Sequence, residues 1–128
     1  RVNAVWTAVV GSAAEVTSGA ATHSTWASAI AALSAGDTIE ALAGTWVENV
    51  TFDKQLNVIG AGYGSYINGS IMFDTSSDRS TVEKLRVNDN VTINTGVVGV
   101  VVEKIYLPTG KTFIDNGTGN LVEGFQET

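Results

Sequence analysis

The sequence contains no cysteine, one histidine and one proline in 128 residues. Disulfides, cysteine-rich zinc sites and a cysteine nucleophile are therefore excluded, and His23 alone cannot build a histidine metal site. Charged residues make up only 16%, and the net charge of −6 argues against binding nucleic acid through its phosphates. No apolar run approaches the roughly 18 residues needed to cross a bilayer. We therefore predict no cofactor, no nucleic-acid partner and no contact with a membrane.

The residues that are present suit strands and turns. Hydrophobic residues make up 44% of the chain, and 14 glycines accompany many threonine, serine and asparagine residues. This mixture is typical of a β-rich domain whose polar surface carries little charge. The sequence starts with Arg1 rather than Met, which fits a processed mature protein and an excised domain equally well.

A short segment recurs at a spacing of 20 residues. Its copies are residues 82–87, 102–107 and 122–126, each with glutamate in the second position. Triplets that alternate inward and outward recur at the same interval, at residues 71–73, 91–93 and 111–113, and asparagine, glycine or proline residues mark the turns between them. A unit of this size without helical periodicity cannot bury its own apolar face, so the units must stack on one another.

Stacking in one direction pairs equivalent strands in parallel at about 4.8 Å, which predicts a parallel β-helix of about five coils. The 20-residue register predicts two inward columns, one aliphatic and one rich in aromatic residues. Their members are Val47, Ile67, Val87 and Leu107, and Phe52, Phe73, Ile93 and Phe113. Lys111 interrupts a third column, and we expect its amine to reach solvent past the last coil.

The N-terminal part has a different pattern. Residues 1–22 are predicted to form an arm or an edge strand followed by a linker, and residues 23–128 the β-helix domain. Within the latter, Trp26, Ile30 and Leu33 lie at i, i+4 and i+7 on an alanine-rich background, which predicts a helix at about residues 24–34. This helix would plug the first coil and cover strand edges that otherwise promote aggregation.

The segments after this helix form a distinctive series: residues 34–39 (SAGDTI), 43–46 (AGTW), 48–50 (ENV) and 56–62 (LNVIGAG). They resemble the opening coils of right-handed parallel β-helix proteins of the pectate-lyase type, the pectin-lyase-like family. The resemblance spans residues 23–62 and implies an all-β, right-handed, single-stranded β-helix with a capping helix. This fold hosts lyases, hydrolases, esterases, adhesins and phage spikes, so it does not fix a function. The short regular coils also resemble β-helix modules of bacteriophage structural proteins.

One outward column combines aromatic residues with an arginine. The 20-residue register places Trp46, Tyr66, Arg86, Tyr106 and Gln126 on one face. Such residues are enriched at protein interfaces, and they could also stack on sugar rings or simply on one another. We favour an interface, with a glycan platform and a plain stacked ladder as alternatives.

Acidic residues also fall in columns. Glu83, Glu103 and Glu123 stack like charges at strand spacing, which is unfavourable unless neutralised. We favour a solvated bend over the alternative, a calcium site. Asp53 and Asp74 follow equivalent strands at a spacing that a retaining glycosidase would use, but turn capping is the favoured interpretation. We predict no catalytic residues.

The last coil is expected to expose strand edges, so that a partner would cover it. The apolar N-terminal segment could also reach a neighbouring subunit. The predicted subunit contacts are Val5, Trp6, Val9, Val10 and Phe125.

These features favour a non-enzymatic structural module of an extracellular assembly. We expect a capsid-decoration, fibre or spike module of a phage virion, forming a homo-oligomer such as a trimer or a head-to-tail stack. A capsid or fibre protein and a surface glycan are further expected partners. The alternatives are a polysaccharide-binding or polysaccharide-degrading β-helix protein, and a subunit of a secreted surface filament.

Overall fold

The computed structural model describes residues 6–126, without the side chain of Gln126. Two short helices precede most of the strands. The elements are β1 (Thr7–Val10), α1 (Ala13–Ser18), α2 (Trp26–Ala32), β2 (Thr38–Ala41), β3 (Gly44–Trp46), β4 (Val50–Phe52), β5 (Asn57–Ile59), β6 (Ser65–Ile67), β7 (Ile71–Phe73), β8 (Thr81–Val87), β9 (Val91–Ile93), β10 (Val101–Leu107), β11 (Phe113–Asp115) and β12 (Leu121–Gln126).

The strands form a parallel β-solenoid, which confirms the predicted all-β parallel β-helix. One sheet contains eight strands, with the path β1-β2-β5-β8-β10-β12, and β3 and β6 joined beside it. The other contains four strands in the order β11-β9-β7-β4. The solenoid thus has about four turns rather than five, because its first strand belongs to the N-terminal segment and not to a complete coil.

The larger sheet bends around a corner. The first half of β8 pairs with β5 and its second half pairs with β6. The bend lies at Lys84, whose backbone adopts the left-handed conformation with φ of 63°, and Lys104 repeats it in β10 with φ of 52°. Two faces of the solenoid therefore belong to one sheet. We call the face of β1, β2 and β5 the first leg and the face of β3 and β6 the second leg; β8, β10 and β12 contribute to both.

The middle coils follow the predicted register, whereas the first coil does not. Ile67 pairs with Val87, as predicted, but its partner in the previous coil is Trp46. Trp46 is therefore buried at 6% exposure, and Val47 is 81% exposed, so the prediction of an inward Val47 was wrong. The spacing between these coils is 21 residues rather than 20, and the extra residue reverses the direction of each side chain.

The last coil departs from the repeat in both sheets. Phe113 pairs with Val91 and not with Ile93, so it occupies the column that Lys111 was expected to interrupt. Lys111 lies in the preceding turn, where its Nζ is 3.3 Å from Oδ1 of Asp89. The pKa of Asp89 is lowered first by the backbone N–H of Asn90 and then by Lys111. The pairing of Phe113 with Val91 shows that the segment between β9 and β11 is longer than the repeat, while the two strands remain paired in parallel.

The N-terminal segment is folded onto the solenoid. Of the two alternatives for residues 1–22, the edge strand is present: β1 pairs in parallel with β2. The expected linker contains α1, which starts with a capping box between Ser12 and Glu15 and ends at Gly19. The predicted helix is present as α2, shorter than expected at both ends. We call β1, α1 and α2 together the N-terminal cap.

Polar contacts fix this cap to the first coil. Buried Asp37 accepts hydrogen bonds from the backbone N–H groups of Trp6 at 3.0 Å and Ser34 at 2.7 Å. The indole Nε1 of Trp46 donates to the carbonyl oxygen of Gly11 at 3.2 Å. The aspartate of the GDTI segment thus has a structural role, because it joins β1 to the end of the helical segment.

Candidate functional site

A stack of aromatic rings and one arginine lies on the second leg. Strand register places Tyr66, Arg86, Tyr106 and Phe125 in one outward column. Tyr63, from the loop before β6, packs beside it. We call these five residues the aromatic–arginine ladder. The alternation of β6, β8 and β10 explains their direction, since Ile67, Leu85 and Ile105 beside them point into the core.

The members of the ladder contact one another closely. The Cζ atom of Arg86 lies 4.0 Å from the ring centroid of Tyr66 and 4.4 Å from that of Tyr63. Tyr63 and Tyr106 meet edge to face at 5.3 Å, and Tyr106 stacks on Phe125 at 4.9 Å. Cation–π and ring–ring contacts of this kind each contribute about 0.5–1.5 kcal/mol beyond the burial of area. These contacts favour the stacked arrangement of the ladder in the single chain.

The sequence identified three of the five members. Trp46 was expected in this column, but it points into the core. Gln126 was expected opposite Tyr106, but its backbone pairs with Leu107, because a bulge between β10 and β12 moves Phe125 into the column. Sequence reasoning missed Tyr63, since it belongs to a loop outside the repeat; its position between Gly62 and Gly64 was the available signal.

Internal stacking decides which ligands the ladder suits. A sugar ring stacks on an open aromatic face, and Arg86 covers one face of Tyr66 and of Tyr63, as Phe125 does for Tyr106. The two most exposed members of the ladder are Tyr63, at 46%, and Phe125, at 52%. The ladder thus presents exposed apolar surface together with an immobilised arginine, the residue types enriched at protein interfaces.

The glutamate column lies on the first leg. Glu83 and Glu103 pair directly across β8 and β10, whereas the bulge in β12 removes Glu123 from this register. No group of three potential metal-ligating His, Cys, Asp or Glu side chains occurs within residues 6–126. The predicted calcium alternative therefore has no preformed ligand cluster among the described residues.

Three shallow depressions follow one another along the outer surface of the first leg. Their volumes are about 330, 250 and 260 Å³, and neighbouring depressions share Ile59 and Glu103. Threonine, asparagine, glutamate and aliphatic side chains line them. We call this row the outer groove; it runs from β1 to Phe125, along the solenoid axis.

Asp53 and Asp74 do not form a defined catalytic pair. Oδ1 of Asp74 accepts hydrogen bonds from the backbone N–H of Thr75 at 2.8 Å and from Nδ2 of Asn94 at 3.2 Å. Asp53 is exposed. The contacts of Asp74 support the turn-capping interpretation.

The predicted subunit contacts lie in different environments. Val10 is fully buried in the core of its own chain, so a contact with a second subunit would require β1 to leave this core. Val9 is half-buried, Trp6 is 47% exposed and Phe125 is 52% exposed. Val5 lies outside the described residues.

Comparison with known proteins adds no relative: the chain matches no family model, no curated protein and no solved structure. Neither helix among the described residues has the length and apolar character needed to cross a membrane. The class of fold, a parallel β-solenoid, therefore rests on the strand pairing.

Proposed function

We propose that this chain is a non-enzymatic structural module of an extracellular assembly, with phage virion decoration, fibre or spike domains as the closest functional type. The aromatic–arginine ladder is the observation that carries this proposal. Its rings and guanidinium are already ordered by mutual contact, so a partner that packs against them loses little side-chain entropy on binding. The parallel β-solenoid architecture is compatible with this role.

The partner surface would meet the most exposed members of the ladder first. These are Tyr63 and Phe125, which both contact Tyr106, while Arg86 packs against Tyr63. Interfaces commonly concentrate binding energy in a few such tyrosine and arginine residues. We expect a second copy of the chain, or a capsid or fibre protein, to bind here.

The test compares variants in assembly and in stability. Tyr63→Ala and Arg86→Ala should weaken self-association or partner binding by about tenfold or more, as expected for hot-spot residues. Met72→Ala is the matched control, because Met72 is a similarly exposed apolar residue on the opposite sheet. Sedimentation velocity and binding to purified virion proteins provide the readout, and thermal unfolding checks that each variant is folded.

A stable monomer at all accessible concentrations, with no affinity for capsid or fibre proteins, would overturn this proposal. So would equal effects of Tyr63→Ala and Met72→Ala on association, because the ladder would then be no better a contact than any exposed apolar residue.

The outer groove supports a second candidate function, binding of a polysaccharide. Its consecutive depressions run along the axis, and Glu83, Asn57 and Thr81 supply hydrogen-bonding groups beside aliphatic Ile59. A glycan array followed by Glu83→Gln tests this role, with Asp53→Asn as a control outside the groove. Glycan binding that Glu83→Gln weakens and Asp53→Asn preserves would favour this candidate over the assembly role.

A further inference from the structure

Two asparagine–glycine pairs lie in loops of the solenoid. Asn68–Gly69 joins β6 to β7, and Asn116–Gly117 follows β11. In such a pair the backbone nitrogen of the glycine can attack the side-chain amide carbon of the asparagine, because glycine has no Cβ to obstruct the approach. The two pairs therefore share one covalent reaction, and their surroundings decide how readily each undergoes it.

The fold requires glycine at both positions. A Cβ at residue 69 would collide with the carbonyl oxygen of Glu48, and a Cβ at residue 117 would collide with that of Val97. Each obstacle is backbone of the preceding coil, so no side-chain movement can relieve it. Close packing thus accounts for glycine in both pairs, which makes the two sites a matched comparison.

The two asparagine side chains differ in what contacts their carbonyl oxygen. Oδ1 of Asn68 accepts a hydrogen bond from Nδ2 of Asn88, in the next coil, at 2.8 Å. Negative charge develops on Oδ1 when Cγ is attacked, so this donor stabilises the charge as it forms. The side chain of Asn116 makes no hydrogen bond within residues 6–126. Attack on the carbonyl carbon is therefore assisted at Asn68 and unassisted at Asn116.

The two glycine nitrogens differ as well. The N–H of Gly117 donates to Oδ1 of Asp115 at 3.0 Å, and Nδ2 of Asn120 donates to the same oxygen at 2.9 Å. A carboxylate is too weak a base to remove an amide proton, so this bond restrains the nitrogen without activating it. The N–H of Gly69, by contrast, donates no hydrogen bond among the described residues, so no such bond must break before it attacks Asn68.

We propose that Asn68 is a self-modifying site, which loses its side-chain amide through a cyclic imide faster than Asn116 does. The nitrogen of Gly69 forms a bond to Cγ of Asn68 and gives up its proton to solvent. The bond from Cγ to Nδ2 breaks, and Nδ2 takes a proton from solvent and leaves as ammonia. Water then opens the imide and leaves aspartate or isoaspartate at position 68. This inference does not depend on the aromatic–arginine ladder or on the outer groove.

Either product changes the turn between β6 and β7. A carboxylate replaces a neutral amide, so each modified chain gains one negative charge. Isoaspartate also adds one carbon to the main chain at a position where the backbone is closely held. The N–H of Asn68 donates to the carbonyl oxygen of Trp46 at 2.8 Å, and Glu48 leaves no room for a side chain at Gly69. Modification thus alters both the charge and the backbone length of this turn.

The test incubates the folded full chain at mildly alkaline pH and follows each pair by peptide mass spectrometry. We expect Asn68 to react about tenfold faster than Asn116, and the two rates to converge in urea, where both loops are unfolded. Asn88→Asp removes the donor and should slow the reaction at Asn68 about fivefold. Asn90→Asp is the matched control, because it adds the same charge nearby while its carboxylate can still accept the N–H of Thr112. It should leave the rate at Asn68 unchanged.

Four results would overturn the proposal. They are equal rates at the two pairs in the folded chain, a faster reaction at Asn116, a rate at Asn68 that Asn88→Asp does not change, and equal slowing by Asn88→Asp and Asn90→Asp. In the last case the added charge, and not the lost donor, would account for the slowing. Thermal unfolding checks that each variant is folded during incubation. If Asn88→Asp does not fold, Asn88→Ala takes its place, since it removes the same donor without adding a charge.

Discussion

The two ends of the solenoid differ in how much of their outermost coil is covered. At the N-terminal end, a strand, a helix and buried polar contacts cover the first coil, and Val50 and Phe52 are 2% and 0% exposed. At the C-terminal end, Phe113 and Val122 occupy similar columns but remain partly exposed. An inward position in a β-solenoid is thus buried only when a neighbouring layer covers it, so the stability of a coil depends on what lies beyond it.

The largest expected difference between the ends is in the stability that one large aromatic side chain contributes at each, Trp26 and Phe113. Trp26 is fully buried in the cap and meets Trp46 edge to face at 5.8 Å. Trp26→Ala should therefore lower the free energy of unfolding by about 3–5 kcal/mol. Phe113→Ala should cost only about 1–2 kcal/mol, because less of its surface is buried. Urea unfolding of both variants checks the order, and equal losses would contradict it.

The milder substitution Trp26→Phe separates the contribution of the buried ring from the cost of its unsatisfied N–H group. Nε1 of Trp26 is a buried donor without a hydrogen-bond partner among the described residues. Trp26→Phe removes this unsatisfied N–H while keeping an aromatic ring, so its cost should be well below that of Trp26→Ala.

The next effect concerns the polar junction of the cap. Asp37→Ala leaves the N–H groups of Trp6 and Ser34 without their carboxylate acceptor, which should cost about 2–4 kcal/mol. Asp78→Ala is the matched control in the body of the solenoid. Asp78 is only half-buried and accepts one backbone bond, from Val98 at 3.0 Å. Its loss should be smaller, and a larger loss for Asp78→Ala in urea unfolding would contradict this comparison.

The sequence predicted the middle of the molecule better than its ends, for a physical reason. Between β6 and β10 each coil has the same number of residues, so one repeat length assigns every side chain to the correct face. At both ends the loops change length, and a single residue more or less reverses the face. For this reason the repeat placed Val47 in the core instead of Trp46 at one end. At the other end it placed Gln126 in the outward column instead of Phe125.

The N-terminal cap and the candidate site were harder to predict because they depend on contacts outside the repeat. The capping box of α1 was visible in Ser12 and Glu15, but the alanine- and glycine-rich composition around it indicated a linker. Tyr63 joins the ladder from a loop, so periodicity did not select it. Tyr66, Arg86 and Tyr106 followed directly from the repeat.

A smaller effect should come from Lys54, whose Nζ donates hydrogen bonds to carbonyl oxygens at the C-terminal end of α2. Lys54→Met keeps most of the aliphatic stem but removes two hydrogen bonds to the end of α2, which should cost about 0.5–1.5 kcal/mol. Lys111→Met is the corresponding change near the other end, where the ammonium group meets an exposed carboxylate. Exposed ion pairs contribute little, so this control should not change urea unfolding measurably. A greater loss for Lys111→Met would reverse the comparison.

The smallest effect is a local change in proton binding near the C-terminal end. The pKa of Asp89 lies below its ordinary value, chiefly because its carboxylate accepts the backbone N–H of Asn90, and secondarily because of Lys111. Any stability from this carboxylate is therefore present above its ordinary pKa and is lost as the pH falls through the lowered value. In Lys111→Met the pKa of Asp89 should rise but stay below the ordinary value, since the bond from Asn90 remains. NMR titration of the Asp89 carboxyl carbon measures this, and Lys84→Met, at the distant sheet corner, should leave the value unchanged. A return of the pKa fully to its ordinary value in Lys111→Met would assign the dominant influence to the lysine rather than to the hydrogen bond from Asn90.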